Sequence, residues 1–208
     1  DTSPDLREQL LDADVTRLDA VLFTHAHADH LHGIDDLRGI NRAMKTTIDA
    51  YADEDTLEAI HQRFGYVFAP LPKNATSIFK PLLVPHALKD RDTFQIGDIP
   101  ISGFIQSHGF SQTMGFRIGN VGYTTDVVEL PDHAFEILAG IDVWIIGTLI
   151  DHPHPTHADV DKALVWIDRV GPKKGYLTHL SQGLDHAELE AYLPAHVEPT
   201  YDGLIIEV

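Results

Sequence analysis

Residues 23–33 read Phe-Thr-His-Ala-His-Ala-Asp-His-Leu-His-Gly, which places four imidazoles (His25, His27, His30 and His32) and the Asp29 carboxylate within eight positions. An apolar core has no use for so many polar rings, and a solvated loop does not require them. In an extended chain, residues two apart point the same way, so His25 and His27 can reach one metal ion. The chain then turns, and Asp29 and His30 project toward a second position nearby. Neutral imidazole together with carboxylate suits Zn²⁺, Mn²⁺ or Fe²⁺; Ca²⁺ and Mg²⁺ prefer sites built from oxygen alone. His32 reads as a first-turn helix residue or a neighbour of a ligand rather than as a ligand.

Two ions require about seven protein ligands, so the stretch demands distant partners. Three residues meet the demand. His108 follows Ile105-Gln106-Ser107, Asp126 follows Gly122-Tyr123-Thr124-Thr125, and His179 follows Gly175-Tyr176-Leu177-Thr178. Each is a polar residue at the C-terminal end of an apolar strand, where α/β folds collect their functional groups. Taken singly, His108 and His179 could be ordinary loop histidines, and Asp126 could cap a turn before Val127-Val128.

The elements that must hold these residues alternate along the chain. Strands are expected over residues 20–24, 78–84, 93–96, 99–106, 113–118, 121–124, 141–146, 175–178 and 204–208. Gly119-Asn120 is expected to be a tight hairpin turn. Helices are expected from Ser3-Pro4 through Leu6, Leu10 and Leu11, over 53–64 with Gly65 as a stop, over 160–170 with Gly171-Pro172 as a stop, and over 185–192. Trp144 and Trp166 lie on apolar faces and belong in the core. The mixture predicts an α/β fold forming a single domain over residues 1–208.

Composition narrows the possibilities. With 32 acidic against 15 basic residues, the net charge of −17 is opposite to that of a phosphate-coating nucleic-acid binder. Any anionic substrate therefore needs a strong local source of positive charge. Cysteine is absent, which removes disulfides, thiolate ligands and thiol nucleophiles. No apolar stretch reaches the roughly 18–20 residues of a membrane helix, and no basic-then-apolar leader is visible, so a cytoplasmic location is expected.

The run His-Ala-His-Ala-Asp-His matches the HxHxDH motif of the metallo-β-lactamase superfamily, and His108, Asp126 and His179 fall in that family's order. The stretches THAHADHLHGIDDLR and GYTTD, and HPTH followed by LTHLS, resemble the cyclic-phosphate phosphodiesterases of the carbon–phosphorus lyase pathway. The resemblance covers most of the chain and implies a metallo-β-lactamase-like αββα sandwich with two divalent transition-metal ions, zinc or manganese. His25, His27 and His108 would hold one ion, Asp29, His30 and His179 the other, and Asp126 would bridge them. A hydroxide shared by the ions would attack phosphorus, with Asp29 dividing its role between ligation and orienting the nucleophile. His157 would anchor the phosphate and protonate the departing alkoxide. The enzymes resembled begin with several strands and a cysteine-bearing segment, whereas only 24 residues precede His25, so the fold is expected to lack its first N-terminal strands.

The function expected is thus a phosphodiesterase acting on small cyclic or nucleotide-like phosphates, with neither extended nucleic acid nor membrane as partner and with room for a homodimer. Alternatives are a transfer-RNA 3′-processing-type endonuclease, which would need a basic arm that no Lys/Arg cluster here supplies, and a thioester or lactone hydrolase. A non-catalytic metal-binding protein on the same fold is the alternative from another class. His152 and His154 are expected to be bystanders in the His-Pro loop, and Arg38 either pairs locally or meets substrate.

Overall fold

The computed structural model describes residues 1–208, which divide into two compact units, Asp1–Lys89 and Asp90–Val208. The first unit is built on three parallel strands in the order β1 (Ala20–Leu22), β2 (Ile48–Asp53), β3 (Leu83–Leu88). Ile48, Ala50 and Ala52 alternate inward along β2, as a pleated strand with one buried face requires. Helices α1 (Leu6–Asp12), α2 (Ala28–Leu31), α3 (Leu37–Met44) and α4 (Glu54–Phe64) complete the unit. The core gathers Phe23, Leu31, Ile34, Leu37, Ile60 and Val67, all essentially inaccessible. Asp53 caps α4 by accepting from the Thr56 N–H at 2.8 Å. A buried amide, Asn41, donates to the carbonyls of Thr46 (2.8 Å) and Leu82 (3.0 Å) and accepts from the Leu82 N–H (3.0 Å), tying α3 to the start of β3.

Two expectations fail in this unit. The strand placed over 78–84 begins at Leu83 and runs through Pro85 to Leu88. Pro85 lies inside β3 because β3 pairs only with β2, and an edge strand tolerates a residue without an N–H. Gly65 is no left-handed stop: its φ is −51° and the helix tightens into a 3₁₀ turn over Gly65–Val67.

The second unit holds one sheet in the order β11 (Val197–Pro199), β10 (Lys174–Thr178), β8 (Val143–Ile150), β7 (Val121–Thr124), β6 (Ser111–Ile118), β5 (Ile99–His108), β4 (Thr93–Ile96), with β9 (Ala158–Asp159) paired to β8. Helices α5 (Asp132–Leu138), α6 (Val160–Val170) and α7 (His186–Tyr192) pack with it. Trp144, Phe104, Leu138, Ile146 and Leu177 are fully buried, Trp166 nearly so, and the Trp144 indole N–H donates to Thr124 Oγ1 at 3.0 Å. The expected hairpin at Gly119-Asn120 pairs Ile118 with Val121, and Gly119 takes φ +57°. Helix α6 is capped by Asp159 at one end and by left-handed Gly171 at the other. The expected strand over 204–208 does not form. The short β11 pairs with β10 instead, and Ile205 and Val208 are exposed.

The direction of the strands decides where their ends fall. Strands β7, β8 and β10 are mutually parallel, and two antiparallel pairings, β5 with β6 and β6 with β7, return β5 to that same direction. The C-terminal ends of β5, β7 and β10 therefore lie along one edge of the sheet.

Candidate metal centre

In the first unit the chain leaves β1 and turns into α2, and His25, His27 and His30 gather around that turn. The His25 ring lies 4.4 Å from His27 at 74° and 4.4 Å from His30 at 45° between centroids and planes. His25 and His30 are buried, while His27 and Asp29 face solvent. Asp29 Oδ2 lies 3.4 Å from His30 Nε2.

Hydrogen bonds fix the tautomers of the two buried rings. The Asp1 carboxylate accepts from the Thr24 N–H (2.7 Å) and from the Thr24 hydroxyl (2.9 Å) and lies 2.9 Å from His30 Nδ1. A carboxylate only accepts, so His30 carries its proton on Nδ1. Thr24 Oγ1, its one proton given to Asp1, must accept at 3.0 Å from His25 Nδ1. Both rings then keep their lone pair on Nε2, the form in which imidazole binds a metal. Neither Asp1 nor Thr24 is marked by spacing: Asp1 stands 29 positions before His30, and only the folded chain joins them.

In the second unit His108 ends β5, Asp126 follows β7 by two residues and His179 follows β10 directly, so all three lie along the sheet edge described above. Asp126 sits between the two rings, Oδ1 lying 3.3 Å from His179 Nε2 and Oδ2 3.7 Å from His108 Nε2. His108 is also locked as a tautomer, because its Nδ1 lies 2.7 Å from the Thr156 carbonyl, which can only accept. The Asp126 backbone is held by a buried network. Gln106 Nε2 donates to the Thr125 carbonyl (2.6 Å) and to Thr113 Oγ1 (3.0 Å), and the Thr113 hydroxyl donates to the Asp126 carbonyl (3.1 Å).

His157 enters from the loop between β8 and β9. Its ring lies 4.7 Å from His108, 5.3 Å from His179 and 5.3 Å from His154. Burial lowers its pKa to about 4; Asp126 opposes the shift, and the neighbouring histidines His108, His179 and His154 add to it. His157 is therefore a neutral imidazole at pH 7, which favours anchoring over proton donation for this residue. Donor atoms of Asp126, His157 and His179 lie within 4.8 Å of one another, so these three could hold a metal ion.

Three other histidines have local uses. His86 Nε2 meets Asp49 at 2.9 Å and stacks on Tyr51, His133 meets Asp90 at 3.1 Å, and His32 packs edge-on to Phe64. Arg38 lies 3.4 Å from the Phe79 carbonyl and 3.9 Å from Asp35, a local engagement.

Both units thus present nitrogen and oxygen donors without sulfur, a set matched to borderline divalent metals. Comparison with known proteins agrees. Residues 1–180 match the family model described as the beta-lactamase superfamily domain. The chain is 31% identical to a solved protein described as a new diphosphatase from the PhnP family, with a TM-score of 0.87 over 98% of this chain and 76% of that one. It is 34% identical over 206 residues to an octanoyltransferase of Porphyromonas gingivalis, covering 98% of this chain but only 41% of that protein, so the chain spans less than half of that relative. It is 30% identical over 196 residues to the exodeoxyribonuclease WalJ of Streptococcus pneumoniae, covering 83% of this chain and 67% of that one. The fold implies divalent metal ions, which these His and Asp groups could hold. No helix is long and apolar enough to cross a membrane. The chain belongs to the metallo-β-lactamase superfamily and is similar to a diphosphatase of the PhnP family.

Proposed function

We propose that the chain is a binuclear metal-dependent phosphodiesterase acting on small cyclic or nucleotide-like phosphates. The observation that carries the proposal is Asp126 set between His108 and His179, one carboxylate oxygen toward each ring, with neutral His157 beside them. The 31% identity to a PhnP-family diphosphatase supports the choice of phosphate over carbon esters. By the family resemblance, His25, His27, Asp29 and His30 of the first unit and His108, Asp126 and His179 of the second would supply the donors for the ions. Zinc or manganese suits the donors.

Such ions, when bound, ionise a water near neutral pH and neutralise charge on the phosphoryl oxygens, which offsets the acidity of the protein. The residues of the chain do the rest. Nδ1 protons held by Asp1, Thr24 and Thr156 keep His30, His25 and His108 in the ligating tautomer. Neutral His157 donates an N–H to a phosphoryl oxygen and orients the substrate, and Asp29, exposed at the first turn of α2, orients the attacking water.

Protein loaded with zinc or manganese should cleave bis(p-nitrophenyl) phosphate, and His157→Ala, which removes one hydrogen-bond donor to the phosphoryl oxygen, should lower kcat about 10²–10³-fold with metal content unchanged. Turnover of thioesters or lactones with every phosphodiester left intact would overturn the proposal. The similarity to an exodeoxyribonuclease favours a second reading, action at DNA ends. The net charge of −17 weighs against it. Release of nucleotides from labelled duplex DNA faster than cleavage of the small diester would favour it.

A further inference from the structure

The loop over residues 153–157, between β8 and β9, carries more than His157. Its Thr156 carbonyl is the acceptor that holds His108 in the Nδ1–H tautomer, at 2.7 Å. Thr156 is itself held from within the loop. His154 Nδ1 accepts from the Thr156 N–H at 3.4 Å and lies 3.3 Å from the Thr156 hydroxyl. A backbone N–H only donates, so His154 carries its lone pair on Nδ1. This is the geometry of an Asx turn, in which the side chain at one position accepts from the N–H two residues on. The far end of the loop is fixed where the Ala158 N–H donates to the Val127 carbonyl at 2.6 Å, one residue beyond Asp126.

The loop also needs room. A Cβ at Gly109, the residue after His108, would stand 2.5 Å from the Pro155 carbonyl oxygen and 2.8 Å from Thr156 Cγ2. Gly109 also takes φ +72°, as the turn joining β5 to β6 demands. Any side chain there would push the loop off the hairpin and carry the Thr156 carbonyl away from His108.

We infer that residues 153–157 form a clamp that sets the tautomer of His108, with His154 and Gly109 as its positioning residues. Neither touches the reacting atoms. His154 shapes the turn that aims the carbonyl, and Gly109 leaves the space into which the turn docks. His154, at first sight a bystander in a His-Pro loop, acts on the centre through Thr156. The inference rests on the proposed role of His108 as a ligand, since only a ligand needs its Nε2 lone pair kept.

The hydrogen bond suggests its own control. Asn Oδ1 stands the same number of bonds from Cα as His Nδ1 and accepts in the same turn, whereas Leu fills the space and accepts nothing. Native protein, His154→Asn and His154→Leu should be compared by ¹⁵N NMR of the His108 ring in metal-free protein and by zinc competition against a chromophoric chelator. Native protein and H154N should show His108 protonated on Nδ1. H154L should show mixed tautomers and bind zinc about 10- to 100-fold more weakly, the scale on which partners of metal ligands act. If H154L keeps both the tautomer and the affinity, or if H154N loses them as H154L does, the clamp is overturned. Gly109→Asn, which tolerates positive φ but carries the Cβ, should reproduce H154L; native behaviour from it would overturn the docking role of Gly109. The NMR measurement needs no metal and no substrate, so it decides the clamp even if the phosphodiesterase assignment fails on its own assay.

Discussion

Asp126 and His179 are related twice: their side chains meet at 3.3 Å, and both backbones hold positive φ, +50° and +59°. Non-glycine residues pay for such a conformation, Asp and His less than most, and it persists only where the surroundings impose it. Here the Gln106 and Thr113 hydrogen bonds impose it at Asp126, and the result is a buried carboxylate aimed at two imidazoles.

Asp126→Gly should therefore separate stability from metal binding. Glycine relieves the positive φ and removes the buried charge, so the Tm of the metal-free protein should stay level or rise. The gain in Tm that zinc gives the native protein by binding the folded state should vanish. A thermal scan with and without zinc checks this. An unchanged zinc-induced shift in D126G would contradict the assignment of Asp126.

Gln106→Leu should destabilise the second unit. The substitution keeps the bulk but strips donors from the Thr125 carbonyl and from Thr113, both buried. A loss of about 1–3 kcal/mol is expected by denaturant unfolding, together with weaker metal binding as the Asp126 turn loosens. A loss well below 0.5 kcal/mol, within the scatter of surface substitutions, would show that the network does not hold the turn.

Asp1→Ala should weaken metal binding without unfolding the chain. Its carboxylate orders His30 directly and His25 through Thr24. A fall of about 10- to 100-fold in zinc affinity is expected with the far-ultraviolet circular dichroism unchanged. Native affinity in D1A would mean that the tautomers of His25 and His30 are set by other groups.

Alkaline pH offers a test of burial near the site. The Tyr123 phenol is pushed up to about 12, first by desolvation and then by Asp126, and Tyr66 reaches about 12 through desolvation and its hydrogen bond to Asp35. A phenol whose folded pKa exceeds its unfolded value of about 10 favours the folded state in its neutral form. That contribution is whole below about pH 10 and is lost as pH rises through about 12. Phenolate absorbance should show a late step near pH 12, and Tyr123→Phe should shrink it by one residue. A single step complete by pH 11 would contradict the placement of both rings.

Much of this was legible in the residues alone. The ligand candidates announce themselves because strand ends are marked by local pattern: an apolar run, then a polar residue, at His108, Asp126 and His179. Helix α6 was legible for the same reason, its apolar periodicity and its Gly171 stop being local pattern, whereas its Asp159 cap emerged only in the structure. What stayed hidden depends on contacts between distant residues. Strand β2, Ile-Asp-Ala-Tyr-Ala-Asp, buries only Ile and Ala and gives a faint alternation. The sheet edge went to Val197–Pro199 rather than to the more apolar residues 204–208, a choice that pairing makes and composition does not. Asp1, Gln106 and Thr156 support the candidate ligands across 29, 19 and 48 positions of sequence, beyond any spacing rule.

The central claim is that these imidazoles and carboxylates hold two divalent ions, and metal content tests it most directly. Protein purified free of metal, loaded with zinc, passed through a desalting column and analysed by inductively coupled plasma mass spectrometry should retain two equivalents per chain, with D126G retaining fewer. Retention of no zinc by the native chain, or of two equivalents by D126G, would contradict it.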